Sequence, residues 1–527
     1  MTAQENIVSK INKYLKAQNI PLNFNEDGVC NGLASLYAKY VLEGRAAEFQ
    51  DLLKRASNVN HSNYDEQINK FINQVLLTME PELFNKNLNQ NNSYQVLNVD
   101  QRQGDKLISK SMKACFDISL VGTKKTMTDL IKKIKLQEKN EVILVSTPDH
   151  AMGIRKERDK YYLYDPSSIR NEIECDNEAA LVRYLSFWYG GNKGLALNIR
   201  VINNPHITPR IDFPSLNEFS GELDHSIKID GKHYNNLSFF AENSNSEEGM
   251  NLIISDANWS NEEYVDAAEK AVIYNNHESL KALLPALDLK DLPNLVFLAL
   301  VNGRQQSYQT LRQSPFFSEA FNNIFKNEKM INSLLAAAAN GGNPELLNIF
   351  FNELSEFKSQ NIITKDVYFE QDVNIQMDMI QHAIRSDNPD CVRILLSKIS
   401  STIEIPLHAK LSYLTDAIKR NNPSIVNVLF KELNITGEHL SRINIPIGNF
   451  EKTDTYLLQI LKNKGMEFSE YQEKIFEHKI QHKPIGIILA IGIVLQKFTD
   501  FVLGKELSIE KEEMQINPES WVDTNAP

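Results

Sequence analysis

The hydrophobic period changes twice along this chain. Residues 1–20 set Ile7, Ile11, Tyr14 and Leu15 on one face of a predicted amphipathic helix. After Cys30 the same period returns in Leu33, Leu36, Tyr37, Tyr40 and Val41, and it continues through Phe49, Leu52, Leu53 and residues 68–77. An Asn-rich break follows at 85–92. Residues 126–139 predict a basic amphipathic helix, with Met127, Leu130, Ile131 and Ile134 opposite Lys132, Lys133, Lys135 and Lys139. A solvated lysine face explains that helix; an acidic partner or membrane surface is the weaker alternative. The period then drops to that of strands. Residues 142–145 and 161–164 are short apolar runs joined through the polar turn 157–160, and residues 195–202 and 237–240 are also strand-like. Residues 241–249 read as a loop, and the domain junction is expected between that loop and Ser260.

Beyond Ser260 the pattern is of paired short helices. Asn-Pro recurs at Asn343 and Pro344, Asn388 and Pro389, and Asn422 and Pro423, each time after an Ala-bearing apolar helix (Ala337–Ala339, Ala383, Ala417) and a polar turn. The physics fits a second helix opened by an Asn cap, with Pro where a missing N–H costs nothing. Gln381-His382-Ala383 and the run 392–396 resemble the ankyrin repeat, and the 34 residues from Pro389 to Pro423 are near that family's period. The 45 residues from Pro344 to Pro389 imply an insertion within 356–376. Degenerate units at 271–280 and at 296–311, with Asn302-Gly303 as the turn of the latter, bring the expected count to five. The resemblance gives His382 a structural role, its imidazole bonding the backbone of the adjoining turn. Residues 484–495 form the most apolar run. Twelve residues are too few to span about 30 Å of hydrocarbon at 1.5 Å per residue, so an array-sealing helix is expected rather than a membrane contact.

A net charge of −12 gives no reason to expect direct nucleic-acid binding. The four cysteines, Cys30, Cys115, Cys175 and Cys391, lack any CxxC spacing, which speaks against a zinc site or disulfide scaffold and fits a reducing compartment. No phosphate-binding loop, dinucleotide fingerprint, GxSxG or HExxH is present, and no cofactor or metal is expected. The N-terminus lacks the apolar core of a secretory signal peptide.

Candidate chemistry centres on Cys30, Asp149-His150 and Asp165-Pro166. A thiol at a helix N-terminus sits at the positive end of the dipole, an environment that favours thiolate. A hairpin turn centred near Glu157 and Arg158 would set His150 opposite Asp165, about 5 Å apart at Cβ. The order Cys, His, Asp-Pro over residues 20–200 resembles the papain-like cysteine proteases, and most the YopT-type branch of bacterial effectors. The resemblance implies Cys30 as nucleophile, His150 as the base that later protonates the leaving group, and Asp165 as its orienting carboxylate. The family's oxyanion-hole Gln is absent, which leaves Asn23 and Asn25 as the amides in that window. The fold expected is an α+β papain-like domain (1–200), a β extension and linker (201–260), an all-α ankyrin-repeat solenoid (261–480), then an apolar capping helix and acidic tail (481–527). Glu506, Glu510, Glu512 and Glu513 resemble the acidic export signals of type IV-secreted effectors. Together these resemblances imply an effector delivered into a host cell without a signal peptide, engaging a host protein through its repeats, with Tyr368 and Phe369 of the insertion as candidate anchors. The alternative is a non-catalytic scaffold on a degenerate protease-like fold.

Overall fold

Helix α1 (Val29–Leu42) is apolar on nearly every side, and every residue in it but Cys30 and Asn31 is buried. A helix enclosed in this way needs small residues where neighbours cross. At Gly32 a Cβ would lie 2.9 Å from Thr78 Oγ1 and 3.1 Å from the Val75 carbonyl of α3 (Glu66–Met79), while α2 (Ala46–Ser57) packs on both helices. This is a computed structural model, describing residues 8–481 apart from 11, 14–28, 58–65, 80, 82–87, 169–171, 192–193, 220, 224–225, 230, 316–320, 322–327, 361–372, 401–403 and 444. Asn23, Asn25, Tyr368, Phe369, the apolar run 484–495 and the acidic tail therefore lie outside the described residues.

The apolar runs of the second period form one antiparallel sheet in the order β3-β8-β4-β5-β6-β7. Its strands are β3 (Lys113–Gly122), β4 (Glu141–Ser146), β5 (Ala151–Glu157), β6 (Lys160–Tyr164), β7 (Ile173–Cys175) and β8 (Leu195–Asn203). Two hairpins stand apart, β1 (Asn98–Gln103) with β2 (Lys106–Ser111), and β9 (Ser226–Ile229) with β10 (Lys232–Asn235). One face of the sheet, carrying Ile143, Val145, Met152, Leu163, Leu197 and Ile199, shares a core with α4 (Lys124–Ile134) and α5 (Glu178–Tyr189). The other face receives α1, whose Tyr37 ring lies over Gly153 of β5 and stacks on Tyr164 of β6. The basic helix is α4, with Met127, Leu130, Ile131 and Ile134 inward as expected; it is shorter than 126–139 because Lys135 turns left-handed at φ 50°.

Two expectations are corrected between 237 and 249. Residues 237–240 are not a strand but the middle of α6 (Asn236–Asn243). Asn235 caps this helix by accepting from the Ser238 N–H at 2.8 Å, and Leu237, Phe239 and Phe240 are all buried. The expected loop contracts to residues 244–246, because Ser246 opens α7 (Glu247–Asp256) by accepting from the Gly249 N–H.

Pairs of helices then follow: α8 (Asn261–Ile273) with α9 (His277–Leu283), α10 (Leu292–Val301) with α11 (Gln305–Gln313), α12 (Glu328–Asn340) with α13 (Pro344–Ser359), α14 (Val373–Arg385) with α15 (Pro389–Ser400), and α16 (Leu407–Lys419) with α17 (Pro423–Leu433). Successive first helices pack on one another, starting from α6, and so do most second helices. Asn343, Asn388 and Asn422 cap the Pro-led helices through their side-chain oxygens. Their Nδ2 groups reach back to the turn before, Asn343 to the Gly303 carbonyl at 2.8 Å, Asn388 to Gly342 at 2.9 Å and Asn422 to Asp387 at 3.2 Å. Asn276 does the same to Ala241 and Glu242 at 2.9 Å, and Arg304 Nε to Ile273 at 2.7 Å. This ladder begins in α6 and so enters the sheet-bearing half. There Asn236 exchanges bonds with the Val121 backbone of β3, Ser119 meets Ser244 at 2.8 Å, and Arg200 donates to the Asn243 carbonyl at 2.7 Å. All described residues belong to one compact unit. The His382 imidazole makes no hydrogen bond among the described residues; the turn-binding role expected of it falls to the capping amides. Among the described residues no helix is long and apolar enough to cross a membrane.

Candidate active site

The site is assembled where α1 begins and the β5–β6 hairpin ends. Cys30 is the second residue of α1 and stays partly accessible while the helix behind it is buried. His150 immediately precedes β5 and Asp165 immediately follows β6. The structure brings all three together. His150 Nε2 lies 2.9 Å from Asp165 Oδ1, and the Cys30 thiol is close enough to the imidazole to help raise its pKa.

The hairpin register differs from the one expected. Glu157 pairs with Lys160 and Gly153 with Tyr164, so the turn is Arg158-Asp159, with Arg158 at φ 55°. Continued one step, that register sets Asp165 opposite Met152 rather than opposite His150. The two side chains meet on a diagonal just past the last paired residues, where a long imidazole still spans the gap.

Asp165 is 2 % exposed, and it is enclosed by donors. Oδ1 accepts from His150, from the Ser167 backbone N–H at 2.9 Å and from the Ser167 hydroxyl at 2.7 Å. Oδ2 accepts from the hydroxyls of Tyr184 at 2.9 Å and Tyr189 at 2.7 Å, both on α5. A carboxylate with about four acceptor positions is saturated by this shell. Burial alone would push Asp165 up, but the hydrogen bonds from His150, Ser167 and Tyr189 outweigh it and hold the carboxyl well below the usual carboxylate range. Burial likewise pulls His150 down, and the bond to Asp165 with the nearby Cys30 overrides it, raising the imidazole to about 9. The Tyr189 ring stacks on that imidazole at 4.9 Å and 9°. The plane of the His150 ring and the partner of its Nε2 are thus both specified beside the Cys30 thiol.

The other thiols lack this setting. Cys115 donates to the Val201 carbonyl and is pushed up to about 11 by burial, and burial also raises Cys175. Cys391 is buried in the helical array.

The sequence reading missed the shell around Asp165. Ser167 was legible in principle, because an Asp whose side chain accepts from the N–H two residues on is a common turn device. Tyr184 and Tyr189 were not, because nothing local shows which face of α5 meets a loop some 20 residues upstream. Also unanticipated is an exposed aromatic pair on the same helix, Phe187 (77 %) and Trp188 (62 %), with Trp188 6.4 Å from the Tyr184 ring. Asn23 and Asn25 lie outside the described residues. Compared with family models, with curated proteins and with solved structures, the chain matches none.

Proposed function

We propose that the chain is a thiol-dependent hydrolase or acyl transferase with a papain-like arrangement of Cys30, His150 and Asp165. Its helical array, similar to ankyrin repeats, holds a protein substrate. The observation that carries this reading is the Asp165 carboxylate, buried, saturated with donors and bonded to an imidazole that stands beside a helix-start thiol. A buried charge set with so many aligned donors is costly to assemble for packing alone.

In the proposed cycle His150 takes the Cys30 thiol proton, the thiolate sulfur attacks an acyl carbon, and the negative charge passes to the carbonyl oxygen. The Cys30 backbone N–H, one of the helix-start donors without an intrahelical acceptor, and an amide from Asn23 or Asn25 receive that oxygen. His150 then gives its proton to the departing group, leaving a thioester. It next takes a proton from the incoming water or amine, which displaces the sulfur. Asp165, kept ionised by its shell, holds the imidazole through both transfers. Peptide hydrolysis, deamidation and acyl transfer share these steps. The exposed Phe187 and Trp188 lie on the same helix as Tyr184 and Tyr189 and would offer an apolar substrate side chain a contact.

The resemblances support a wider reading, of an effector that acts in a host cell and engages a host protein through its array, Tyr368 and Phe369 contributing. The decisive experiment measures alkylation of Cys30 by iodoacetamide, read peptide by peptide, from pH 5 to 9 in the native chain and in His150→Asn. An activated thiol alkylates readily at pH 6 and loses that reactivity with the imidazole. Equal rates in the two proteins would sink the catalytic reading and leave the scaffold reading, in which the array alone carries function.

A further inference from the structure

The three elements that supply Cys30, His150 and Asp165 meet at a single side chain. Tyr37 lies seven residues after Cys30, two helical turns and about 10.5 Å along the same face of α1. Its ring covers Gly153, three residues after His150, so closely that a Cβ on Gly153 would stand 2.4 Å from Tyr37 Cδ1. It stacks on Tyr164, the residue before Asp165, at 4.9 Å between centroids. Its hydroxyl donates to Glu172 Oε1 at 2.6 Å. Glu172 is in turn gripped by two nitrogens of Arg155, at 2.8 and 2.9 Å, and Arg155 belongs to β5 itself. Tyr37 is fully buried. The ring therefore fixes the height of α1 above the hairpin, and the hydroxyl fixes where the helix sits along it.

We propose that Tyr37, wedged over Gly153 and tied through Glu172 to Arg155, is a positioning residue that sets the separation between the Cys30 thiol and the His150 imidazole. Gly153 is the only residue type that admits the ring at this height, because any Cβ forces the Tyr37 ring, and with it α1, outward by about 1 Å to reach ordinary contact distance. A misplacement of about 1 Å in a reacting pair is enough to cost of order a hundredfold in rate. The inference rests on the thiol-imidazole reading above, and its test is arranged so that the two can fail separately.

The test is site-resolved alkylation of Cys30 by iodoacetamide across pH, with a thermal melt of each protein. Gly153→Ala is expected to keep a cooperative melt and to lower the pH 6 alkylation rate roughly 10- to 100-fold. Tyr37→Leu alone is expected to lower it as well, because the helix loses its stop. Combining Tyr37→Leu with Gly153→Ala clears the methyl, so the pair together should lose less than the product of the two single losses. Independent destabilisations would instead multiply. If Gly153→Ala fails to fold, Tyr37→Leu decides. A folded Tyr37→Leu or Gly153→Ala protein that alkylates with the native rate and pH profile overturns the proposal and makes Tyr37 a packing residue only. Should the native chain and His150→Asn alkylate alike, it is the catalytic reading that fails, whatever Gly153 does.

Discussion

At the scale of single residues, the site is built around a carboxylate whose charge is supported from every side. Its protonation has a stability consequence with a definite sign. His150 is raised from 6.5 to about 9 in the folded chain, so the fold favours the imidazolium. That contribution is fully present below about pH 6.5 and disappears as pH rises to about 9. At about 1.4 kcal/mol per unit it amounts to a few kcal/mol, with the His150–Asp165 bond counted once. The melting temperature of the native chain should therefore fall relative to His150→Asn between pH 6.5 and 9, the two curves converging at the alkaline end; parallel curves would show that the imidazole gains nothing on folding. Asp165 acts oppositely, its contribution being present above the usual carboxylate range and lost only in strong acid. Tyr189→Phe keeps the ring on His150 but removes one hydroxyl from Asp165, as Tyr184→Phe removes the other. Each should cost about 1.5–3 kcal/mol, read from chemical denaturation, and reduce Cys30 alkylation at pH 6. That Cys30, His150 and Asp165 would come together was legible in the sequence because each sits at a sharp local signal: a helix start, and the two ends of short apolar runs. The tyrosines were not, because their contribution depends on how α5 is rotated over the sheet.

At the scale of elements, the Asn-Pro helix starts show what local chemistry can and cannot disclose. That Asn343, Asn388 and Asn422 would cap their helices follows from residue type and neighbours. That the other half of each amide would grip a carbonyl in the preceding pair does not, because the partner lies 35 to 46 residues away. The two roles predict unequal costs. Asn343 is 3 % exposed, and its removal strands both the Leu346 N–H and the Gly303 carbonyl, so Asn343→Ala should cost about 2–4 kcal/mol. Asn422 serves the same two functions in a wetter place with a 3.2 Å bond to Asp387, and Asn422→Ala should cost about 1 kcal/mol. Urea denaturation of the two variants checks the order, and the reverse order would mean that the caps, not the inter-pair bonds, decide. Residues 237–240 mark the other limit. Leu-Ser-Phe-Phe has the composition of a strand, and only the cap at Asn235 and burial of both aromatic rings make it helix.

At the scale of the whole molecule, the sheet and the array share one core, so where the array can be cut is a physical question. A fragment starting at residue 261 lacks the carbonyls of Ala241, Glu242 and Ser244 that the buried Asn276 and Ser279 require. One starting at residue 235 keeps them, together with the Asn235 cap. In thermal melts the longer fragment should unfold cooperatively and at a higher temperature; an equally stable shorter fragment would mean that α6 and α7 are not part of the array. The ladder has one more consequence. Its rungs join a turn to the following helix start across separations as unequal as 31, 35, 40 and 46 residues, so the bond pattern is indifferent to how much chain lies between. The surplus lies partly in the second helices, which run from 7 to 16 residues, and partly in the chain between one pair and the next, in either case away from the rungs. A gene of this kind can take up new segments between pairs without disturbing what joins them. Such a protein can change its contacts by insertion while inheriting its architecture whole.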